Sequence, residues 1–150
     1  MTAQPLRRTA TKADLPAILA LLADDPLGKT RETTDETAYT VAFDAIAADP
    51  NQQMAVAELS GAVIGYMQIT YIPGLSRGGA WRGQVESVRI ATPFRSQGIG
   101  AQFFHWAFAQ CKARNCALVQ LTTDTRRPDA LRFYDRLGFA ASHHGLKRSL

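Results

Sequence analysis

Apolar and polar positions along this chain repeat with two periods, and the switches between them mark its elements. Residues Pro5–Ala10 read as a short first strand. Thr11-x-x-Asp14 then forms a capping pair whose side-chain oxygens satisfy the free amides of a starting helix. Leu15, Ile18, Leu19 and Leu22 follow at i, i+3, i+4 and i+7, which places them on one helical face. Pro16 falls in the first turn, where its missing N–H costs nothing. Asp25-Pro26-Leu27-Gly28 breaks that helix and begins a polar loop. A second helix is predicted from about Asp35 to Ala48, with Tyr39, Phe43 and Ile46 on its buried side, ended by Asp49-Pro50-Asn51.

Strands are predicted near Gln53–Leu59 and Ala62–Ile72, joined by the two-residue hairpin signal Ser60-Gly61. Pro73-Gly74 opens a loop through Gly79, and a long strand spans roughly Trp81–Ala91. A helix from about Gly98 to Arg114 precedes the strand Ala117–Thr122. Pro128 starts a short helix to about Leu137, Gly138 is its C-cap, and a last strand begins near Phe139. The order is β-α-α-β-β-β-α-β-α-β. Helices alternate with strands in the second half, which implies parallel pairing there within a mixed sheet of the α/β (α+β mixed) class. No linker or repeat divides the chain, so residues 1–150 read as a single domain.

Composition adds exclusions. At 46% hydrophobic and 20% charged residues the chain is ordinary for a globular protein. No run approaches the ~18 apolar residues of a membrane span, and the N-terminus lacks the apolar core of a secretory signal, so a cytoplasmic location is expected. Cys111 and Cys116 do not resemble a disulfide framework or a zinc site, and they read as reduced, partly buried thiols with no metal implied. The net charge of +4 divides along the chain. Asp24, Asp25, Glu32, Asp35, Glu36, Asp44 and Asp49 outnumber Lys29 and Arg31 early on. Later, Arg77, Arg82, Arg89, Arg95, Lys112 and Arg114 face only Glu86. A basic centre suits a polyanionic ligand and an acidic neighbour suits a cationic one.

The stretch Val85–Ala101 carries the chemistry. A β-branched strand leads into a turn, and Arg95-x-x-Gly98-x-Gly100 opens a helix. Glycines there clear side chains from the backbone, so successive N–H groups can cradle a phosphate. The helix dipole and Arg95 add favourable charge. A dinucleotide motif would want a third glycine and an acidic residue about 20 positions later, where this chain has Gln120.

Strand, Arg-x-x-Gly-x-Gly and helix, followed by a strand and then Ala130-Leu-Arg-Phe-Tyr-Asp-Arg-Leu-Gly-Phe139, resembles the GNAT superfamily of acetyl-CoA-dependent N-acetyltransferases. The resemblance implies a mixed sheet of six or seven strands flanked by about four helices. It implies acetyl-CoA as co-substrate, and a bulged, splayed strand whose Val88, Arg89 and Ile90 lie along the pantetheine arm. The Val88 N–H would polarise the thioester carbonyl. Arg95, Ser96, Gln97, Gly98, Ile99, Gly100 and Ala101 would hold the pyrophosphate, and Tyr134 would protonate the leaving thiolate. The family often has an asparagine seven residues before that tyrosine. Here the position is Arg127, so either the arm is held differently or Arg127 reaches the nucleotide phosphates.

An amine titrating near ~10.4 must lose a proton before it attacks. Glu86 is the only acid between Glu58 and Asp124, and its period-2 placement puts it beside Val88 and Ile90 unless a bulge intervenes. A pairing with Arg89 or Arg82 is its other reading. His105, His143 and His144 read as surface or packing residues, and Phe103, Phe104, Trp106 and Phe108 as core. The expected function is acetyl transfer from acetyl-CoA to a primary amine in a ternary complex, on a small-molecule or peptide acceptor. The loop acids Asp24, Asp25, Glu32, Asp35 and Glu36 suggest a cationic acceptor such as a polyamine, aminoglycoside or lysine-like group. A non-catalytic acyl-CoA-binding regulatory module is the alternative. A nucleic-acid or membrane partner is not expected, and a homodimer fits the family.

Overall fold

The strand-forming stretches pair in chain order. β1 (Leu6–Thr9), β2 (Gln52–Leu59), β3 (Ala62–Ile72), β4 (Trp81–Ile90) and β5 (Cys116–Gln120) build one sheet with neighbours β1-β2-β3-β4-β5. The structure is a computed structural model and describes residues 4–150. β1 to β4 run antiparallel to their neighbours, while β4 and β5 are parallel, as the alternation of elements required. The β2–β3 turn has φ of 51° at Ser60 and 82° at Gly61, the left-handed pair that suits a two-residue hairpin.

Helices cover both faces. α1 (Leu15–Ala23) and α2 (Glu36–Ala48) pack on one, with Ile18, Leu21 and Phe43 buried against Met54, Val56 and Tyr66. The α1 pattern differs by one position from the sequence reading: Ile18 and Leu21 are its buried residues, while Leu15, Leu19 and Leu22 are half-buried. Asp14 closes the turn by accepting from the Thr11 N–H at 2.7 Å. Asp35 caps α2 by accepting from Thr37 N at 3.0 Å.

α4 (Ile99–Ala113) and α5 (Pro128–Arg136) cover the other face; the short kinked turn α3 (Ser76–Gly79) belongs to the β3–β4 connection. Phe103, Phe104, Ala107 and Cys111 of α4 meet Ala55, Ala57, Met67, Ile69 and Val85 of the sheet. Phe104 lies 5.6 Å from Tyr134 and 5.9 Å from both Phe133 and Phe139, ring centre to ring centre, which ties α5 onto α4. Cys111 and Cys116 are free thiols, buried and half-buried.

Among the described residues the sheet holds five strands, where six or seven were expected. β5 ends at Gln120, and after α5 no strand forms among the described residues, although one was expected from Phe139. Residues 140–150 contain no β-branched residue and no Phe, Tyr or Trp, and so little to pack on a pleated surface.

Candidate active site

Both edges of β4 are paired in its first half. Arg82, Gly83 and Gln84 lie opposite Ile72, Tyr71 and Thr70 of β3, and opposite Leu118, Val119 and Gln120 of β5. The β5 ladder then stops, and from Val85 onward β4 has β3 alone beside it. In the same half, Glu86 pairs with Gln68 and Arg89 with Tyr66, so Ser87 and Val88 together face Met67. This is a β-bulge, and Ser87 takes the left-handed conformation it needs, at φ 54°.

The bulge decides which way the side chains point. Gly83, Val85, Val88 and Ile90 face α4, whereas Gln84, Glu86 and Arg89 turn to the α1 side. Glu86 is therefore on the opposite face from Val88 and Ile90. It is exposed above the buried Tyr66, whose phenol is pushed up to about 12 by burial first and the Glu86 carboxylate second. The alternation of ladder bonds also aims main-chain groups. Ala91 N donates to Ile64 O across β3 at 2.8 Å, so the main-chain groups of Ile90 and, by alternation, Val88 point to the unpaired side. There the Ile90 carbonyl accepts from Arg95 Nε at 2.9 Å and the Val88 carbonyl from Arg89 Nη1 at 3.0 Å.

The glycine turn begins where β4 ends. Ser96 and Gly98 have φ of 60° and 78°, and Gly98 caps α4 without a side chain to occupy its first amides. The first intrahelical bond is Gln102 N to Gly98 O, so the N–H groups of Ile99, Gly100 and Ala101 project from the helix end. Residues 95–98 are exposed, whereas the Ile99 side chain is buried and leaves only its backbone for a ligand. Gln97 folds back onto the Pro93 carbonyl at 2.8 Å. Gly100 has a packing reason as well, since a Cβ there would sit 3.3 Å from the Phe133 ring of α5.

An acidic pair at the end of α1 organises the far side. The Asp24 carbonyl accepts from Arg95 Nη2 at 3.2 Å, and its carboxylate accepts from Thr92 Oγ1 at 2.8 Å. Asp25, 5% exposed, receives both terminal nitrogens of Arg127 at 2.8 and 2.5 Å and the Gly28 N–H at 2.8 Å; Arg89 Nη2 lies 3.8 Å away. The Arg127 guanidinium holds the Asp25 carboxyl down to about 2. Of the two readings open for Arg127, its guanidinium is spent on Asp25, and a pyrophosphate contact from it would require breaking that pair. Tyr134 lies near both arginines. Burial pushes its phenol above the ordinary value, Arg127 and Arg89 oppose that rise, and the net shift is upward, so the phenol keeps its proton at neutral pH.

The loop acids are thus already engaged. Glu32 accepts from the Tyr39 hydroxyl and Asp35 caps α2, leaving Glu36 in the exposed first turn of that helix. Arg31 reaches across to Asp124 at 3.1 Å, and Arg126 binds the same carboxylate at 2.7 Å. The sequence gives no local sign of the Asp25–Arg127 pair, because its members are 102 positions apart. His105 is exposed on α4 and His143 bonds only Ser142, so neither enters the site. Among the described residues no group of acids, histidines and cysteines could hold a metal ion.

The Acetyltransferase (GNAT) family model matches residues 15–139. An aminoalkylphosphonate N-acetyltransferase of Salmonella typhimurium is 29% identical over 143 residues, covering 95% of this chain and 90% of that protein. A crystal structure described as a transcriptional regulator from Bacillus halodurans C-125 superposes with a TM-score of 0.94 at 44% identity, covering 97% of this chain and 99% of the other. Glucosamine-6-phosphate N-acetyltransferase from Arabidopsis thaliana shares the fold, with a TM-score of 0.81 at 17% identity over 98% of this chain and 99% of that one.

Proposed function

We propose a reaction for this chain on the premise that it belongs to the GNAT acetyltransferase family and is an N-acetyltransferase: it moves an acetyl group from acetyl-CoA to a primary amine by direct attack, with both substrates bound. The observation that carries the reading is the second half of β4, unpaired on one side and leading into an uncapped helix N-terminus. Those features fit a long polar arm ending in pyrophosphate. Val88 and Ile90 have outward main-chain groups for the arm, flanked by Arg89. The amides of Ile99, Gly100 and Ala101, with Ser96, Gln97, Gly98 and the exposed Arg95, suit the phosphates.

Acetyl-CoA supplies an acyl group activated as a thioester. Glu86 takes the proton of the ammonium, directly or through a water, and frees the nitrogen lone pair. The Val88 N–H donates to the carbonyl oxygen as charge develops there. As the C–N bond forms and the C–S bond breaks, Tyr134 gives its proton to the departing sulfur and takes up the second proton that the acetylated nitrogen sheds. The bulge supports this division of labour: Glu86 is presented on one face of β4 while the outward Val88 amide lies two residues on. The cytoplasm is the proposed location, and among the described residues no helix is long and apolar enough to cross a membrane.

A second reading is motivated by the Bacillus halodurans relative, described as a transcriptional regulator at 44% identity. On that reading the chain binds acyl-CoA as a signal and turns nothing over. Thiol release from acetyl-CoA across a panel of amines, amino sugars and peptides separates the two. Acetylated product supports the enzyme; tight acetyl-CoA binding with no thiol release from any acceptor supports the regulator and ends the catalytic proposal.

A further inference from the structure

Arginines crowd the rim of the site. Arg89 and Arg127 share Asp25, and Arg31 and Arg126 share Asp124. The two groups adjoin where the Arg127 N–H donates to the Asp124 carbonyl at 2.9 Å. Four guanidiniums thus share the two carboxylates of Asp25 and Asp124, an excess of positive charge. A bare amine, arriving as an ammonium, would add to that excess, whereas an anionic group on the amine would offset it.

The two groups differ in availability. Asp25, Arg89 and Arg127 are largely buried, with side chains 6%, 15% and 31% exposed, and their geometry is fixed by one another. Arg31 and Arg126 have side chains 53% and 64% exposed. Arg31 spends a single N–H on Asp124. Arg126 uses Nε at 2.9 Å and Nη2 at 2.7 Å, which leaves the Nη1 edge of its fork. They approach from separate segments, the α1–α2 loop and the β5–α5 loop, so together they form a two-sided clamp. A planar guanidinium matches the geometry of an oxyanion.

We propose that Arg31 and Arg126 are the anion subsite of the acceptor, so that the amine acetylated here bears a terminal oxyanion (phosphonate, phosphate or carboxylate) gripped by the pair while its nitrogen lies at Glu86. This rests on the acetyl-transfer reading above. Asp124 holds the two arginines together and aims them, and it is a positioning residue.

The test uses 2-aminoethylphosphonate and β-alanine against ethanolamine, with wild-type protein and the Arg31→Ala, Arg126→Ala and Arg126→Lys variants. In wild-type protein an anionic amine is the better acceptor. Each alanine variant raises the KM of that amine about tenfold to a hundredfold, as expected for a lost charged hydrogen bond, while the KM for acetyl-CoA stays within about twofold. Arg126→Lys recovers part of the loss. The ranking of phosphonate and carboxylate identifies the oxyanion. A rise confined to the acetyl-CoA KM would assign the pair to the cofactor and overturn the proposal, as would equal use of ethanolamine and the anionic amines.

Calorimetry of the same amines with CoA present separates this subsite from the reaction. Anion-selective binding that the alanine variants abolish, without thiol release from any amine, upholds the subsite and sinks the acetyl-transfer reading. Thiol release with no preference for the anion does the reverse. Neither binding nor release defeats both.

Discussion

The two halves of β4 belong to one strand and have opposite surroundings. From Arg82 to Gln84 the strand has neighbours on both edges, and its residue Gly83 lies so close to α4 that a Cβ would come 2.4 Å from the Cys111 sulfur. From Val85 to Ile90 it has one neighbour, a left-handed serine and a cluster of arginines. The first half is framework. In the second, losing a partner strand leaves main-chain donors and acceptors facing outward, and these are what an extended polar ligand requires. The site is thus made by ending a ladder early rather than by adding a domain.

Glu86→Gln tests the open half most severely. Loss of the base is expected to lower kcat about 10²- to 10⁴-fold, or about 3–5 kcal/mol of barrier, with melting temperature and acetyl-CoA binding nearly unchanged. Full turnover at every pH would remove Glu86 from the base role and leave the bulge without its proposed purpose.

Asp25→Asn attacks the ion cluster beside the open half. It leaves Arg89 and Arg127 facing each other, and an expected stability loss of about 3–5 kcal/mol is read from urea unfolding. The pH dependence follows from the same carboxylate. Its value is about 2 in the fold against an ordinary 3.8, so its contribution is complete above about pH 4 and is lost as the pH falls toward 2. That limb amounts to about 2 kcal/mol, and the asparagine variant should lack it. An identical acid limb in both proteins would show that Asp25 is not the group responsible.

Gly83→Ala tests the framework half. The new Cβ displaces the buried Cys111 sulfur, at about 1–3 kcal/mol, with no change in the KM for acetyl-CoA. Combining it with Cys111→Ala should cost less than the two changes summed, and strict additivity would mean that the close approach is not the cause.

The smallest effect is expected from Ser87→Val. A β-branched residue in the left-handed region costs about 1–2 kcal/mol, and any straightening of the bulge would move Glu86 relative to Val88. Turnover should therefore fall more than stability alone explains. A variant that merely melts earlier would show that the bulge is not needed for the reaction.

Much of this was legible in the chain. Thr11 with Asp14, Asp35, Ser60-Gly61, Gly98 and Gly138 set caps and turns through neighbours a few positions away, and the structure puts each where the pattern did. Tyr134 was singled out by the resemblance, and the structure packs its ring on Phe104 of α4. The face on which Glu86 lies was conditional on a bulge, and period-2 counting across Ser87 could not resolve it. Of the acids around the α1–α2 loop, Glu32 and Asp35 prove to be hydrogen-bonded within the chain, while Glu36 is exposed. Asp24 and Asp25 find their partners at Thr92, Arg95 and Arg127, beyond the reach of any local pattern.

The sequence by itself determined the order of the elements from β1 through α5, the parallel pairing of β4 with β5 and the glycine turn at Arg95–Ala101. Each depends on periodicity or on backbone preferences of adjacent residues. Only the tertiary structure decided where the β5 ladder stops, which face Glu86 occupies, and that Asp25 neutralises Arg127 while Asp124 gathers Arg31 and Arg126. Those outcomes are set by ladder register and by charges brought together from distant segments, and both exist only once the chain has closed around its sheet.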